Sequence, residues 1–287
     1  MRSILSTKQL CYTYPGSGAA ALNQMSFDIP EGRKTVIVGH NGSGKSTLFL
    51  QLLGLLKPDQ GALFFGGEPY PASAKGLRGL REQIGLVFQD PEQQLILNTA
   101  REDAAYGLRN AGIPEAQIRD RVARMLASMG LEQLADTPLH QLSLGQKKRA
   151  ALCGVMAMEP KVLLLDEPTA YLDHESERQL LQELDRISGS DDNEACGVSL
   201  VMSTHDMNLA YAWADHVLVF HHGVCVEAGT PEEIFVRSRT IEAYGLQQPN
   251  VIQVWQALPD SLKADMLPPR TIGELAHWLR QQRGFGM

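Results

Sequence analysis

The sequence predicts an α/β fold: a largely parallel sheet with a helical insertion and a small helical appendage towards its C-terminal end. Three observations predict it. Short β-branched or apolar runs such as "KTVIVG", "KVLLLDE" and "GVSLVMSTH" alternate with stretches of helical length and periodicity. A helix-rich block, residues 99 to 135, divides the strands into two groups. After about residue 238 the composition changes, and three short helical patches follow, separated by "LPD" and "LPPR".

Taken in order, "ILSTKQLCYTY" and "LNQMSFDIP" alternate apolar and polar residues with Gly and Pro between them, the pattern of half-buried strands. "KTVIVG" is a short buried strand, followed by a Gly-rich turn and the helical "KSTLFLQLLG". "GALFFGG" and "QIGLVFQD" read as further short strands, and "TAREDAAYGLRNAG" and "PEAQIRDRVARMLASMG" as helices each ended by Gly. The second half gives strand, helix, strand, helix and hairpin over "KVLLLDE", "HESERQLLQELDRIS", "GVSLVMSTH", "DMNLAYAWA" and "HVLVFHHGVCVEAG". "SGSDDNEACG" is a polar surface loop. Residues 1–237 are expected to form one domain, with the helical insertion at about 90–160, and residues 238–287 a small helical one. Its patches lie around 250–258, 260–266 and 271–283, with Trp255 and Trp278 packing it together.

Composition narrows the function. Apolar residues make up 44% of the chain and charged residues 21%, ordinary for a globular protein of 287 residues. A net charge of −7 argues against a general nucleic-acid binder, which needs clustered Lys and Arg. The four cysteines, Cys11, Cys153, Cys196 and Cys225, form no CxxC pair, so a reducing compartment fits better than a disulfide or zinc framework. No apolar run is long enough to span a bilayer, and the start lacks a signal-peptide core, so work at a membrane requires docking onto another protein.

"GHNGSGKS", Gly39 to Ser46, fits the phosphate-loop pattern GxxxxGK followed by Ser or Thr, between a strand and a helix as the mechanism requires. The glycines let backbone N–H groups converge on phosphate oxygens, and the helix N-terminus adds its positive end. Lys45 can reach the β- and γ-phosphates, and the Ser46 hydroxyl can ligate Mg²⁺. "VLLLDEP" places two carboxylates at the end of a buried strand. Asp166 can hold Mg²⁺ through its water shell, and Glu167 is suited to orienting or deprotonating an attacking water.

"LSLGQ", Leu142 to Gln146, lies just upstream of this acidic strand and resembles the signature sequence of ABC-type ATPases. Other marks follow in that family's order. Gln89 in "LVFQD" resembles the Q-loop glutamine, Asp173 in "AYLDHES" the D-loop, and His205 in "STHD" the switch histidine, while Tyr14 in "YTYPG" resembles the aromatic that stacks on adenine. The match covers roughly residues 3 to 235. It implies the ABC-type phosphate-loop fold: a RecA-like core sheet, an antiparallel β subdomain and a helical subdomain. It implies ATP and Mg²⁺ as cofactors, with Glu167 and His205 catalytic and Ser46, Gln89 and Asp166 serving the metal. The nucleotide set is Tyr14, Gly39, His40, Asn41, Gly42, Ser43, Gly44, Lys45, Ser46, Thr47, Gln89 and Asp173. Ser143, Leu144, Gly145 and Gln146 join it from a second subunit, because in this family two ATPases sit head to tail and the signature of one caps the ATP of the other. The family has Gly where this chain has Leu144, which keeps the N–H but adds a side chain.

"QDPEQQLILNTAREDAAYGLRNAGI" is similar to the ATPases of energy-coupling-factor transporters, through Gln89, Asp90, Pro91, Gln94, Leu95, Thr99, Asp103, Ala105, Tyr106 and Gly107. Within that group the resemblance is to the cobalt/nickel uptake type. The partners it implies are a second ATPase subunit, identical or not, a membrane coupling subunit and a substrate-binding membrane subunit, at the cytoplasmic face of a prokaryotic membrane. A vitamin importer and a soluble ATPase that acts outside transport are the alternatives. Several features read as structural only: His221, His222 and Gly223 as a hairpin tip, Met156 and Met158 as core, and "KKR", Lys147 to Arg149, as the solvated start of the signature helix.

Overall fold

The computed structural model describes residues 2–189, 197–237, 241–263 and 266–282. Most of the expected polar loop at 188–197 therefore lies outside the described residues. The first strands, β1 (Ser3–Tyr12) and β2 (Leu22–Pro30), pair antiparallel and are joined by β4 (Gln60–Phe65) and β5 (Glu68–Pro69) in a four-stranded sheet ordered β2-β1-β4-β5. The second sheet has six strands. These are β3 (Lys34–Val38), β6 (Ile84–Val87), β7 (Val162–Asp166), β8 (Ser199–Thr204), β9 (His216–His221) and β10 (Val224–Gly229), in the order β10-β9-β3-β8-β7-β6. All its pairings are parallel except the β9–β10 hairpin. Strands β3, β7 and β8 are buried on both faces, as continuous apolar runs in a parallel sheet must be.

The helices are α1 (Lys45–Leu52), α2 (Ala74–Arg81), α3 (Ala100–Asn110), α4 (Glu115–Ser128), α5 (Leu144–Met156), α6 (His174–Ser188) and α7 (Met207–Trp213). Thr99 caps α3, its side chain accepting from the Glu102 N–H, and Ala104, Ala105 and Leu108 form its buried face. Helix α4 buries Ile118, Val122 and Leu126 at helical spacing. Helix α2 carries two glycines and a single buried residue, Leu80, so its periodicity does not stand out in the sequence.

Beyond residue 240 come α8 (Asn250–Ala257), α9 (Asp260–Lys263) and α10 (Ile272–Gln282), close to the three patches expected. Trp255 and Trp278 meet with ring centroids 5.1 Å apart. Both belong to the same apolar cluster as Leu163, Leu200 and Tyr211, so the appendage shares the core of the main sheet. Arg270 fastens it polarly: its guanidinium donates to the Tyr211 and Ala214 carbonyls and pairs with Glu232, while the Tyr211 hydroxyl donates to the Pro268 carbonyl. Among the described residues no helix is long and apolar enough to cross a membrane.

Candidate active site

The register of the parallel sheet assembles the site. Val38 pairs with Thr204 and Asp166 with Ser203, so the carboxyl ends of β3, β7 and β8 reach one edge together. Open α/β sheets bind ligands at that edge. Three chain segments leave it there: the loop 39–44 after β3, Glu167 after β7 and His205 after β8. They border a cleft of about 870 Å³, lined among others by Tyr14, Asn41, Lys45, Gln89, Asp166 and His205.

The loop is built to wrap around something. Gly44 caps α1 with φ 104°, and a Cβ there would stand 2.7 Å from the Ala21 carbonyl oxygen and 2.8 Å from Leu22 Cδ2. The Lys45 side chain is buried and turns back into the loop, its ammonium donating to the carbonyls of Gly39 at 2.7 Å and His40 at 3.1 Å. Burial pushes its pKa down, opposed by the carboxylates of Glu167 and Asp166. The Ser43 hydroxyl is buried without a partner among the described residues, and its carbonyl accepts from the N–H of Gly223. The tip of the β9–β10 hairpin thus braces the loop. His40 points the other way: its Nε2 lies 2.8 Å from where a Cβ on Gly245 would be, against the C-terminal segment.

The acidic strand end faces this loop. Ser46 Oγ donates to Asp166 Oδ2 at 2.8 Å, and Ser203 Oγ donates to Asp166 Oδ1 at 2.5 Å. At Glu167 the backbone turns into the left-handed region, φ 43°, and its N–H is held by the carbonyl and the hydroxyl of Ser203 at 3.2 and 3.0 Å. That turn separates the two carboxylates. Asp166 faces Ser46, whereas Glu167 Oε2 stands 3.0 Å from Nδ1 of His205. Tyr14 lies at the cleft, 40% exposed as a residue, with its ring edge-on to Tyr12 and its hydroxyl 3.3 Å from Thr47 Oγ1.

The remaining sequence-derived residues lie elsewhere. Ser143 caps α5 in a reciprocal pair with Gln146: the Ser143 hydroxyl accepts from the Gln146 N–H and the Gln146 side chain accepts from the Ser143 N–H. Asp173 caps α6 and accepts from the N–H and hydroxyl of Ser176, which hold its carboxyl below the usual carboxylate range. A Cβ on Gly145 would meet the Ser176 hydroxyl at 2.8 Å, so the two helix starts abut. None of Ser143, Leu144, Gly145, Gln146 and Asp173 lines the cleft of its own chain.

Three functional candidates escape sequence reasoning. Ser203 looks like one more small residue in a buried strand, and only the register sets it against Asp166. Tyr171, 85% exposed at φ 63°, lines the cleft, and a tyrosine carries no sequence signal for a turn position that needs positive φ. The third is a correction. The expected solvated "KKR" start is tied down throughout: Lys147 pairs with Glu92 at 2.6 Å, Arg149 donates to Gln179, and Lys148 is buried. The intervening helix packing, invisible in a local charge run, turns all three inward or onto a partner.

Known proteins resemble this one along most of its length. The family model described as ABC transporter matches residues 22–170. The energy-coupling factor transporter ATP-binding protein EcfA of Methanocaldococcus jannaschii is 38% identical over 275 residues, 95% of either chain. The structure of cbiO1 from Clostridium perfringens, described as part of the ABC transporter complex cbiONQ, matches with a TM-score of 0.76 and 39% identity, over 89% of this chain and 100% of that one. An ATP-binding cassette solved as a dimer in a post-hydrolysis state with ADP and Pi matches with a TM-score of 0.70 and 28% identity, over 79% and 98%.

Proposed function

The chain belongs to the ABC transporter family as an ATP-hydrolysing subunit of the energy-coupling-factor type, and from that premise we propose that it drives an importer by closing head to tail on a second ATPase subunit. The observation that carries the proposal is the division of the site. Lys45, Ser46, Asp166, Glu167 and His205 meet in one cleft, while the capped start of α5 at Ser143 lies outside it. A single subunit therefore brings the start of α1 to its own nucleotide but lacks a second set of donors on the opposite side of the γ-phosphate, such as the start of α5 and the Ser143 hydroxyl offer. A second subunit supplies them, as expected of a chain similar to a cassette solved as a dimer.

In this reading the loop 39–46 wraps the phosphates of ATP, Lys45 neutralises their charge, and Tyr14 stacks on the adenine. The donor set fits a divalent cation: the Ser46 hydroxyl and Asp166 touch, and Gln89 borders the same cleft. Mg²⁺ bound there would neutralise charge on the phosphate oxygens. Glu167 accepts the proton of the attacking water, and His205, hydrogen-bonded to it, keeps the carboxylate aimed into the cleft.

The membrane end of the stroke falls to residues 89–107. Leu95 packs on the core, but Ile96 is 61% exposed beside a groove of about 350 Å³ that Tyr106, Asp103, Gly85 and Val155 also line. Asp103 Oδ1 accepts from the N–H groups of Ile96 and Leu97 and fixes the presenting loop. An apolar side chain held out in this way suits a helix of the membrane coupling subunit. Cobalt or nickel as cargo follows from the resemblance to the cobalt/nickel uptake type, and assembly with further transporter subunits is supported by similarity to cbiO1, described as part of the ABC transporter complex cbiONQ. Purification from native membranes tests the assembly and its cargo together. Recovery of two integral membrane proteins, with ATP-dependent cobalt or nickel uptake by the reconstituted complex, is expected. Recovery of the chain without membrane partners would remove the importer reading.

A further inference from the structure

The turn that follows Glu167 is held from outside the cleft. Lys148, in the second turn of α5, is 2% exposed, and its ammonium donates to the carbonyls of Pro168 at 2.7 Å and Ala170 at 2.8 Å. Burial pushes its pKa down to about 8, opposed by the carboxylates of Glu167 and Asp90. The turn it grips is unusual. Glu167 at φ 43° and Tyr171 at φ 63° bracket the gripped carbonyls, and both are L-residues in the left-handed region. Such conformations persist only where the surroundings over-determine them. Inside the turn the Ala170 N–H donates to the Glu167 carbonyl and the Leu172 N–H to that of Thr169. A methionine of similar length would fill the same space without burying a charge. What the lysine alone adds is the pair of hydrogen bonds to the turn.

Helix α5 thus touches this segment twice: Gly145 abuts Ser176 at the start of α6, and Lys148 holds the carbonyls between Glu167 and Asp173. We propose that Lys148 is a positioning residue which ties the helix bearing Ser143 to the turn that aims Glu167, so that a shift of α5 on meeting the partner's nucleotide resets the carboxylate of its own subunit. The proposal rests on reading Glu167 as the base and Ser143 as the group that reaches the partner's ATP. It gives each subunit a path within its own chain from one nucleotide to the other, with the two hydrogen bonds of one side chain as its polar link.

The test compares full-length Lys148→Met and Lys148→Gln with the unsubstituted protein, reading kcat, ATP affinity and amide hydrogen exchange. Met removes both hydrogen bonds, while Gln keeps N–H donors without the charge. The Met variant should lose about 10²-fold in kcat, the effect of an ångström-scale displacement of a reacting group, at unchanged ATP affinity. Gln should recover part of that loss. Exchange should quicken at the amides of residues 170–172 in the order Met, Gln, unsubstituted, and stay unchanged in β3 and β7. Wild-type kcat in both variants, a matching fall in ATP affinity, or faster exchange throughout β7 would each overturn the proposal. If the Met variant does not fold, the Gln variant decides alone: reduced kcat at unchanged affinity supports the role, and unchanged kcat removes it. Glu167→Gln separates the premise from the inference. Turnover surviving in that variant refutes the base itself, whereas turnover lost there but kept in the Lys148 variants refutes only the link.

Discussion

Ser203 and Asp166 stand opposite each other on neighbouring parallel strands, and the hydroxyl of Ser203 donates to Asp166 Oδ1 at 2.5 Å while its oxygens receive the N–H of Glu167. One buried serine therefore orients the carboxylate of Asp166 and holds the backbone turn at Glu167. Ser203→Ala should cost about 1.5–3 kcal/mol of stability, the range for a hydrogen bond to a charged group. It should also raise the Mg²⁺ concentration for half-maximal turnover by roughly 10- to 100-fold, as loss of a supporting contact behind a metal ligand does. Thermal denaturation and a Mg²⁺ titration of ATPase activity check the two effects, and an unchanged Mg²⁺ midpoint would confine Ser203 to structure.

Glu167→Gln should reduce turnover by about 10²- to 10⁴-fold, the usual contribution of a positioned base, and leave ATP binding intact. The amide keeps the size of the carboxyl and can still meet His205. Unhydrolysed ATP should then hold two subunits together. Sizing with and without Mg-ATP reports this, and a monomer that persists at saturating nucleotide contradicts the head-to-tail arrangement.

Tyr14→Ala should weaken nucleotide binding by roughly 1–3 kcal/mol, the value of stacking a base on an aromatic ring. Tyr14→Phe keeps the ring and gives up only the 3.3 Å contact with Thr47, so it should bind nearly as well. Titration with a fluorescent ATP analogue distinguishes the two, and equal affinity in all three proteins would exclude stacking.

Ile96→Asp should leave the isolated subunit's folding, ATP binding and basal hydrolysis near normal, because the side chain is exposed and outside the nucleotide cleft. Assembly with the membrane subunits and uptake should fail. Co-purification or transport that survives the substitution would place the dock elsewhere.

The cleft was legible in the sequence wherever function is written as local spacing. The phosphate loop, Asp166–Glu167 and His205 all follow buried strands whose apolar runs are plain, and parallel pairing then brings their ends to one edge. Two kinds of information were missing. Ser203 depends on inter-strand register, which no local pattern records. Lys148 depends on what α5 packs against, and a run of three basic residues looks the same whether solvated or buried. The apolar spacing around Trp255 and Trp278 marked the appendage helices, but gave no sign that they would join the main core rather than a separate one.

The left-handed backbone at Glu167 sets folding against function. A non-glycine residue at φ 43° carries a conformational penalty of order 1–3 kcal/mol, and a glycine there would not. Glu167→Gly should abolish turnover and relieve that penalty, offset in part by the flexibility that glycine adds to the unfolded chain. Selection for thermal robustness alone would therefore drift towards loss of the carboxylate proposed here as the base. A screen that stabilises this protein without an activity readout should therefore admit dead enzymes substituted at this position.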